Sequence, residues 1–223
     1  ISHRRGLEIA LPYYKRLGPN RDLTITPHVY TGLLPAVEAR YRELNRIGAF
    51  QIGGFATYGR IERLTELGEP EKTKNSGIRA YFEANGKAQL SPLWSITSSI
   101  RIATDKTVTR RYVITQDDRL RSVVNAERIT PTSYVSIAGW AFEGLRVDDV
   151  QKQIPIALPA IDARFRIDPP AIGGTLELQA NSLAILRIEG QDTQRAFASA
   201  RWDLRRITNW GQEVTFTGYA RAD

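Results

Sequence analysis

The stretch RAYFEANGKAQL, residues 79–90, alternates between two kinds of side chain with a period of two. One set is polar or aromatic: Arg79, Tyr81, Glu83, Asn85, Lys87 and Gln89. The other set is small or apolar: Ala80, Phe82, Ala84, Gly86, Ala88 and Leu90. This alternation predicts a β-strand with one hydrated face and one apolar face. It would be about twice as long as an ordinary strand of five to six residues.

The same alternation recurs along the chain in about twelve segments, and no stretch has the period of an amphipathic helix. The predicted strands are 6–14, 21–30, 35–44, 50–58, 79–90, 94–102, 119–129, 134–142, 161–167, 175–188, 195–207 and 213–221. Polar or irregular loops are predicted at 66–76, 104–118 and 144–159, and a turn at 169–174. The chain is therefore predicted to be all-β and antiparallel.

Long strands that carry charge on one face are typical of a transmembrane β-barrel, whereas a soluble sandwich normally has short strands and tight turns. We therefore predict that residues 1–223 form one partial barrel domain. Candidate residues for a hydrated lumen are Arg40, Arg42, Arg79, Glu83, Lys87, Arg164 and Arg166. The small and aliphatic residues of the other face would contact lipid.

Two prolines lie inside the first two predicted strands. Pro12 falls in LEIALPYY and Pro27 in DLTITPHVY. A proline within a strand removes a backbone donor and usually marks a sheet edge. The pattern places no proline in the middle of any later strand. We therefore predict a weak seam at Pro12 and Pro27, with an N-terminal edge of no transport role as the alternative.

The overall charge favours an anionic partner. There are 31 Lys and Arg residues against 24 Asp and Glu, which gives a net charge of +7. Without cysteine the chain has no disulfide and no thiolate metal site. No apolar run approaches the roughly 20 residues that a transmembrane helix needs. Since methionine is absent even from position 1, we expect an internal fragment of a longer protein.

The sequence contains no pattern that is typical of a catalytic, cofactor or metal site. His3 and His28 are the only histidines and have no carboxylate at metal-ligand spacing, so His28 is interpreted as lumen-facing or solvated. The pairs Asp117/Asp118 and Asp148/Asp149 lie in predicted loops and are interpreted as solvated. No phosphate-binding loop or nucleic-acid recognition motif occurs. The sequence therefore predicts a protein that is not an enzyme and does not bind nucleic acid.

Seven stretches occur in order along nearly the whole chain: NRDLTITP (20–27), VEARYRELN (37–45), LRSVVNAE (120–127), SYVS (133–136), FEGLRVD (142–148), IPIALP (154–159) and YARAD (219–223). Together they resemble the β-barrel of the lipopolysaccharide-assembly outer-membrane family, LptD. No single stretch is a strong motif. Their order and spacing together make the resemblance specific.

The resemblance implies a closed barrel of about 26 strands, of which this chain would be the N-terminal half. A periplasmic jelly-roll domain would precede it. The family's barrel, in the outer membrane of Gram-negative bacteria, is plugged by a lipoprotein (LptE-like) and receives lipopolysaccharide from a periplasmic bridge protein (LptA-like). It releases the lipid through a lateral gate between its first and last strands, which prolines loosen. Pro12 and Pro27 match those prolines in placement and separation.

Other functions remain open from the residues alone. Within the membrane class, the chain could belong to a generic large porin or uptake barrel. A different class is a soluble all-β module that binds anions. An outer-membrane hydrolase is disfavoured because the chain offers no plausible catalytic triad.

Overall fold

Over its described residues, the chain folds as thirteen β-strands in one antiparallel sheet. The computed structural model describes residues 6–64, 70–169 and 171–223, with side chains described outside 61–74. The strands are β1 (Glu8–Ala10), β2 (Tyr13–Gly18), β3 (Arg21–Tyr30), β4 (Ala36–Leu44), β5 (Gly48–Leu64), β6 (Pro70–Gln89), β7 (Trp94–Ala103), β8 (Arg119–Ile129), β9 (Ser133–Gly144), β10 (Ile156–Ile167), β11 (Thr175–Leu186), β12 (Thr193–Ile207) and β13 (Glu213–Ala222). A four-residue helix, α1 (Val108–Arg111), and a 3-10 turn (Gln151–Gln153) interrupt the connections.

From β3 onward each strand pairs with the next strand in the chain, while β1 and β2 both pair with β3. In the described sheet the outer side of β1 and β2 and the outer side of β13 have no neighbouring strand. The sheet is therefore open at both ends. This confirms the predicted all-β, antiparallel partial barrel. Within the described residues, no helix has the length and hydrophobicity to cross a membrane.

Strand pairing sorts the side chains into two faces. One row of directly opposite residues across β4 to β7 is mostly polar: Arg40, Gly53, Glu83 and Arg101. The adjacent row is apolar: Ala39, Gly54, Phe82 and Ile102. We call the side of the first row the polar face and the side of the second row the apolar face. Large apolar side chains on the apolar face, such as Ile52, Phe82 and Ile102, stay exposed, as expected of a surface that contacts lipid.

The main buried cluster lies on the polar face. Residues 104–118 turn back over β3 to β6 and pack there, and we call them the inserted loop. The cluster comprises Tyr30, Ala36, Phe55, Tyr81, Val108, Tyr112, Leu120 and Leu145. Val108 in the inserted loop is completely buried. The loop was predicted only as a charged connection, because its apolar residues have no period that would indicate burial.

The prediction of a single strand over 6–14 is wrong at one point. The strand breaks at Leu11 and Pro12, which divides it into β1 and β2 and raises the number of strands to thirteen. The register is the same on both sides of the break, since Ala10 pairs with His28 and Tyr13 with Ile25. In this register Leu11 lies opposite Pro27, which has no amide to donate a ladder hydrogen bond, so the pairing with β3 is interrupted there.

The predicted loop 66–76 is wrong over residues 70–76, and residues 66–69 lie outside the described part. Strand β6 begins at Pro70 and pairs with β5 through a bulge between Arg60 and Glu62. The two strands thus extend as a long hairpin. Backbone pairing does not require an apolar face, so a polar sequence without alternation gave no sign of it.

The predicted irregular connection 144–159 is shorter than expected. Strand β10 begins at Ile156 and contains Pro159, where the register shifts against both neighbours between Ala157 and Ala160. A bulge accommodates a proline because the extra residue is left unpaired. The expectation that later strands lack internal prolines is therefore wrong at Pro159, and a strand proline alone does not define a seam.

Candidate functional site: the sheet edge and the inserted loop

The two prolines weaken different sides of the edge strand. The Leu11 amide donates to the carbonyl oxygen of Pro27 at 3.2 Å. In an antiparallel pair these two residues would normally exchange two hydrogen bonds, but Pro27 has no amide to return one. Pro27 therefore removes a bond between β1 and β3.

Pro12 acts on the opposite side. Backbone groups of successive residues point to alternate sides of a strand. Since Leu11 points its amide toward β3, the nitrogen of Pro12 points to the outer edge of the sheet. That edge has no partner strand among the described residues. Pro12 therefore removes a donor with which a further strand could have paired.

His28 lies beside this weak point on the polar face. Its Nδ1 is 2.8 Å from Oε1 of Glu8 in β1, and its Nε2 is 3.5 Å from Oε2 of Glu38 in β4. The imidazole stacks on Tyr30 with ring centroids 6.0 Å apart and also contacts Phe55. The side chain is only 12% exposed. Of the two interpretations of His28, the solvated one is therefore wrong, and the lumen-facing one stays a prediction. His3 lies outside the described residues.

A buried ion pair fastens the start of the inserted loop to the polar face. Arg79 Nε donates to Oδ2 of Asp105 at 2.9 Å, and Arg79 Nη2 donates to Oδ1 at 3.0 Å. The two side chains are 5% and 7% exposed. Thr107 accepts a further hydrogen bond from Arg79 at 2.6 Å. This bidentate geometry fixes both the position and the orientation of the loop.

The charge state of Asp105 reflects two opposed effects. Burial raises the pKa of its carboxyl group, but hydrogen bonds from Arg79 and Thr107 outweigh burial and hold the pKa below the ordinary value of 3.8. Asp105 is thus ionised at neutral pH, as its pairing with the guanidinium requires.

The far end of the inserted loop is also attached to the polar face. Arg101 Nη1 lies 2.7 Å from Oδ2 of Asp117. Between the two attachments, the Tyr112 ring packs on Tyr30 and Phe55, with centroids 5.5 Å and 4.9 Å apart. Aromatic contacts and ion pairs together hold the loop against the wall next to the sheet edge.

Lys106 connects the inserted loop to the next irregular connection. Its Nζ donates to the carbonyl oxygens of Arg146, Val147 and Asp149 at 2.9, 3.3 and 2.6 Å. Asp118 also bonds to Arg110 and Arg146. The hydrogen bond from Arg146 is the main cause of the lowered pKa of Asp118. The interpretation of Asp118 as merely solvated is therefore wrong.

We expect Lys106→Met to loosen this connection while keeping most of the apolar stem. The loss of a charged donor to three carbonyls should lower the free energy of unfolding of the full-length protein by about 1.5 to 3 kcal/mol. Chemical denaturation in detergent, followed by tryptophan fluorescence, measures it. Lys152→Met is the matched control, since its pair with Glu189 is exposed and should contribute at most about 1 kcal/mol. Equal effects would contradict the bridging role of Lys106.

Most of the predicted lumen residues have a partner of opposite charge. Arg40 pairs with Glu38 at 2.8 Å, Arg42 with Asp22 at 2.9 Å, and Arg164 with Asp162 at 2.7 Å. Arg79 lies beneath the inserted loop, and Glu83 accepts a hydrogen bond from Tyr81 at 3.1 Å. No side-chain ion pair is found for Lys87 or Arg166 within the described part of the chain. The assignment of these seven residues to a barrel lumen stays a prediction.

Sequence reasoning missed the residues that hold the inserted loop, above all Asp105, Lys106 and Tyr112. The segment TDKTVTRRYVITQDD mixes charged and apolar residues without a period, which resembles an exposed loop. The one available signal was its three apolar β-branched residues, Val108, Val113 and Ile114, between charged flanks. That signal is too weak to predict burial.

The fold and the edge together define a class of protein. A wide antiparallel sheet with one exposed apolar face, one charged face and an open edge is a partial wall of an outer-membrane-type β-barrel. The family model for LPS transport system D matches residues 77–223, which is more than half of the chain. The chain belongs to this family, LptD.

Curated relatives agree over shorter segments. The LPS-assembly protein LptD of Burkholderia thailandensis is 46% identical over 51 residues, which are 22% of this chain and 6% of the relative. The protein of the same name from Psychrobacter cryohalolentis is 46% identical over 44 residues, covering 20% of this chain and 4% of the relative. The LPS-assembly protein LptD of Legionella pneumophila is 33% identical over 72 residues, which are 30% of this chain and 8% of the relative. The chain thus aligns with only a small part of each relative's length.

Proposed function

We propose that this chain is part of an outer-membrane barrel that inserts lipopolysaccharide into the outer leaflet, and that the lipid leaves through a lateral seam at β1 and β2. The single observation that carries the seam is the edge itself. There, Pro12 lacks the outward-pointing amide that a further strand would bind, and Pro27 of β3 cannot return a hydrogen bond to Leu11 of the edge strand. An edge with fewer hydrogen bonds opens at lower cost, whereas a lipid-facing amide elsewhere in the wall costs several kcal/mol when unpaired.

Family membership supports the general role in lipopolysaccharide transport and gives no reason to propose an enzyme activity. In the proposed full-length protein, further strands close the barrel against the outer side of β1 and β2, and a jelly-roll domain precedes them. A plug lipoprotein and a periplasmic bridge protein are the proposed partners. The proposed location is the outer membrane of a Gram-negative bacterium.

The polar face is the proposed path for the phosphorylated, sugar-rich headgroup. Paired charges suit such a group, because polar side chains can form hydrogen bonds with it while their neutralised charges do not bind its phosphates tightly. Arg40 and Arg164 are neutralised by Glu38 and Asp162, so the net charge of +7 is less concentrated here than the sequence suggested. Lys87 and Arg166 are the remaining candidates for direct contact with phosphate.

A crosslink across the seam tests lateral release. In the full-length protein, Lys15→Cys in β2 is combined with a cysteine at the facing position of the final barrel strand. Oxidation should abolish the appearance of lipopolysaccharide at the cell surface, because the acyl chains could no longer pass between the two strands. Surface labelling of lipopolysaccharide measures delivery, and a reductant should restore it.

The control uses the same cysteine with a different partner. Lys15 lies directly opposite Leu23, so Lys15→Cys with Leu23→Cys locks β2 to β3 and leaves the outer edge free. Delivery should continue in this variant. Normal delivery with the seam itself locked would refute lateral release and would favour a generic porin or uptake barrel.

A further inference from the structure

Strand β1 is attached to the sheet by few backbone contacts. Its register with β3 consists of three residue pairs, from Glu8 opposite Tyr30 to Ala10 opposite His28. At its ends, the Leu7 carbonyl oxygen accepts from the Thr31 amide at 3.0 Å, the Leu7 amide donates to Thr31 Oγ1 at 2.9 Å, and the Leu11 amide donates to the carbonyl oxygen of Pro27 at 3.2 Å. Pro27 returns no hydrogen bond, so side chains matter more here than in a full ladder.

The side chain of His28 in β3 lies between carboxylates of β1 and β4. His28 reaches Glu8 of β1 through Nδ1 and faces Glu38 of β4 through Nε2. The Nε2 atom is buried and has no hydrogen-bond partner in the described part of the chain, although Glu38 Oε2 is 3.5 Å away. Buried polar atoms normally find a partner. A carboxylate on each side of an imidazole is the arrangement that suits its doubly protonated form.

We propose that His28 fastens β1 to the sheet in a proton-dependent way. Neutral imidazole has one N–H, which can bond Glu8 but leaves a lone pair facing Glu38. On taking up one proton from solvent, the ring becomes an imidazolium that donates from both nitrogens. It then bonds both carboxylates and attracts them electrostatically. The first part of the edge is held tightly in the protonated form and more loosely in the neutral form.

The groups around His28 favour this role. Glu8 of β1 and Glu38 of β4 face the imidazole of His28. The second carboxylate oxygen of Glu38 accepts a hydrogen bond from Arg40 at 2.8 Å. On its own strand Tyr30 stacks on the ring, and Phe55 packs from β5. The aromatic neighbours keep the imidazole in place in both charge states. Arg40 neutralises part of the charge of Glu38.

Proton dependence matters for transport because β1 lies at the proposed seam, so the purpose of the device rests on the proposed function. An imidazole gains a second N–H and a positive charge as the solution becomes more acidic. The edge would therefore loosen as the pH rises. Strand β2 has no histidine contact within the described part of the chain and should not respond.

Hydrogen exchange on the purified full-length protein in detergent tests the device without any substrate. Protection factors, corrected for the intrinsic pH dependence of exchange, are compared at pH 5.5 and pH 8 for peptides covering 6–11 and 13–18. The protection of 6–11 should fall by about tenfold at pH 8, the size expected for one charge-assisted hydrogen bond. The peptide 13–18 is the internal control and should not change.

Two variants identify the group that responds. His28→Gln should remove the pH response of 6–11 while the protein still folds, because glutamine keeps a donor but does not titrate. Glu8→Gln should reduce the response, since the amide is a weaker partner for an imidazolium. An unchanged response in His28→Gln, or equal protection of 6–11 at both pH values in the natural protein, would overturn the proposal. Since no lipopolysaccharide is present, either result is independent of whether the crosslinked seam blocks delivery.

Discussion

Replacing Asp105 by alanine is expected to lower the free energy of unfolding of the full-length protein by about 3 to 5 kcal/mol. The substitution leaves the Arg79 guanidinium buried beneath the inserted loop without its carboxylate partner. Thr107 still accepts a hydrogen bond from Arg79, but a neutral hydroxyl does not replace the charge of the lost carboxylate. The loop should therefore leave the polar face.

Denaturant unfolding in detergent and limited proteolysis within residues 104–118 measure this effect. The matched control is Asp162→Ala, which removes the partner of Arg164 from an ion pair at a similar distance, 2.7 Å. Arg164 is 61% exposed, so this loss should cost no more than about 1 kcal/mol. Similar losses in the two variants would show that the Arg79 pair does not anchor the loop.

The ion pair between Arg79 and Asp105 predicts that the inserted loop becomes less stable in acid. Because the pKa of Asp105 in the folded protein lies below its ordinary value of 3.8, the ionised carboxylate stabilises the folded state. This stabilisation is fully present above the unfolded pKa and is lost as the pH falls through the folded pKa. Protection of the loop from proteolysis should thus decline below about pH 4, and Asp105→Asn should lack this acid-dependent part of the decline.

The second large effect concerns the two faces of β6. Ala84→Arg is expected to destabilise the membrane-inserted protein by about 2 to 4 kcal/mol, because it places a charge on the lipid side of the wall. Ala84 lies between Ile52 and Ile100 in one cross-strand row of the apolar face. No carboxylate lies in that row to accept the guanidinium.

The control is one residue away. Asn85 lies on the polar face between Gln51 and Ser99, and its Oδ1 accepts from the Ser99 hydroxyl at 2.8 Å. Asn85→Arg gives up this hydrogen bond, yet the new charge stays in water, so the cost should be about 1 kcal/mol. Folding titrations in lipid vesicles compare the two variants. If both were equally tolerated, the apolar face would not be the lipid-facing side.

Several elements followed from local sequence alone. Strands such as β3 and β8 have the bounds that alternation predicted, because a sheet with one apolar face imposes a period of two that no other fold element shares. The separation of Arg40 and Glu83 from Ala39 and Phe82 onto two faces has the same origin. Pro12 was the one local sign of irregularity in the first strand, but alternation alone predicted that the strand continues through it, and the break at Leu11 and Pro12 was not predicted.

Other elements depended on contacts between distant residues. The extension of β6 back to Pro70 and the bulge at Pro159 come from pairing with neighbouring strands, which a single segment does not encode. The pairing of Arg79 with Asp105, across 26 residues, joins two segments that each look hydrated on their own.

The sequence by itself determined the class of fold and the separation of the side chains onto two faces, because a period of two acts within one strand. Only the tertiary structure decided that residues 104–118 turn inward and that His28 lies between Glu8 and Glu38. Both depend on strands that meet in space through the register of the sheet. The direction in which Pro12 and Pro27 remove donors likewise required the register, since it alone fixes which side each backbone nitrogen faces.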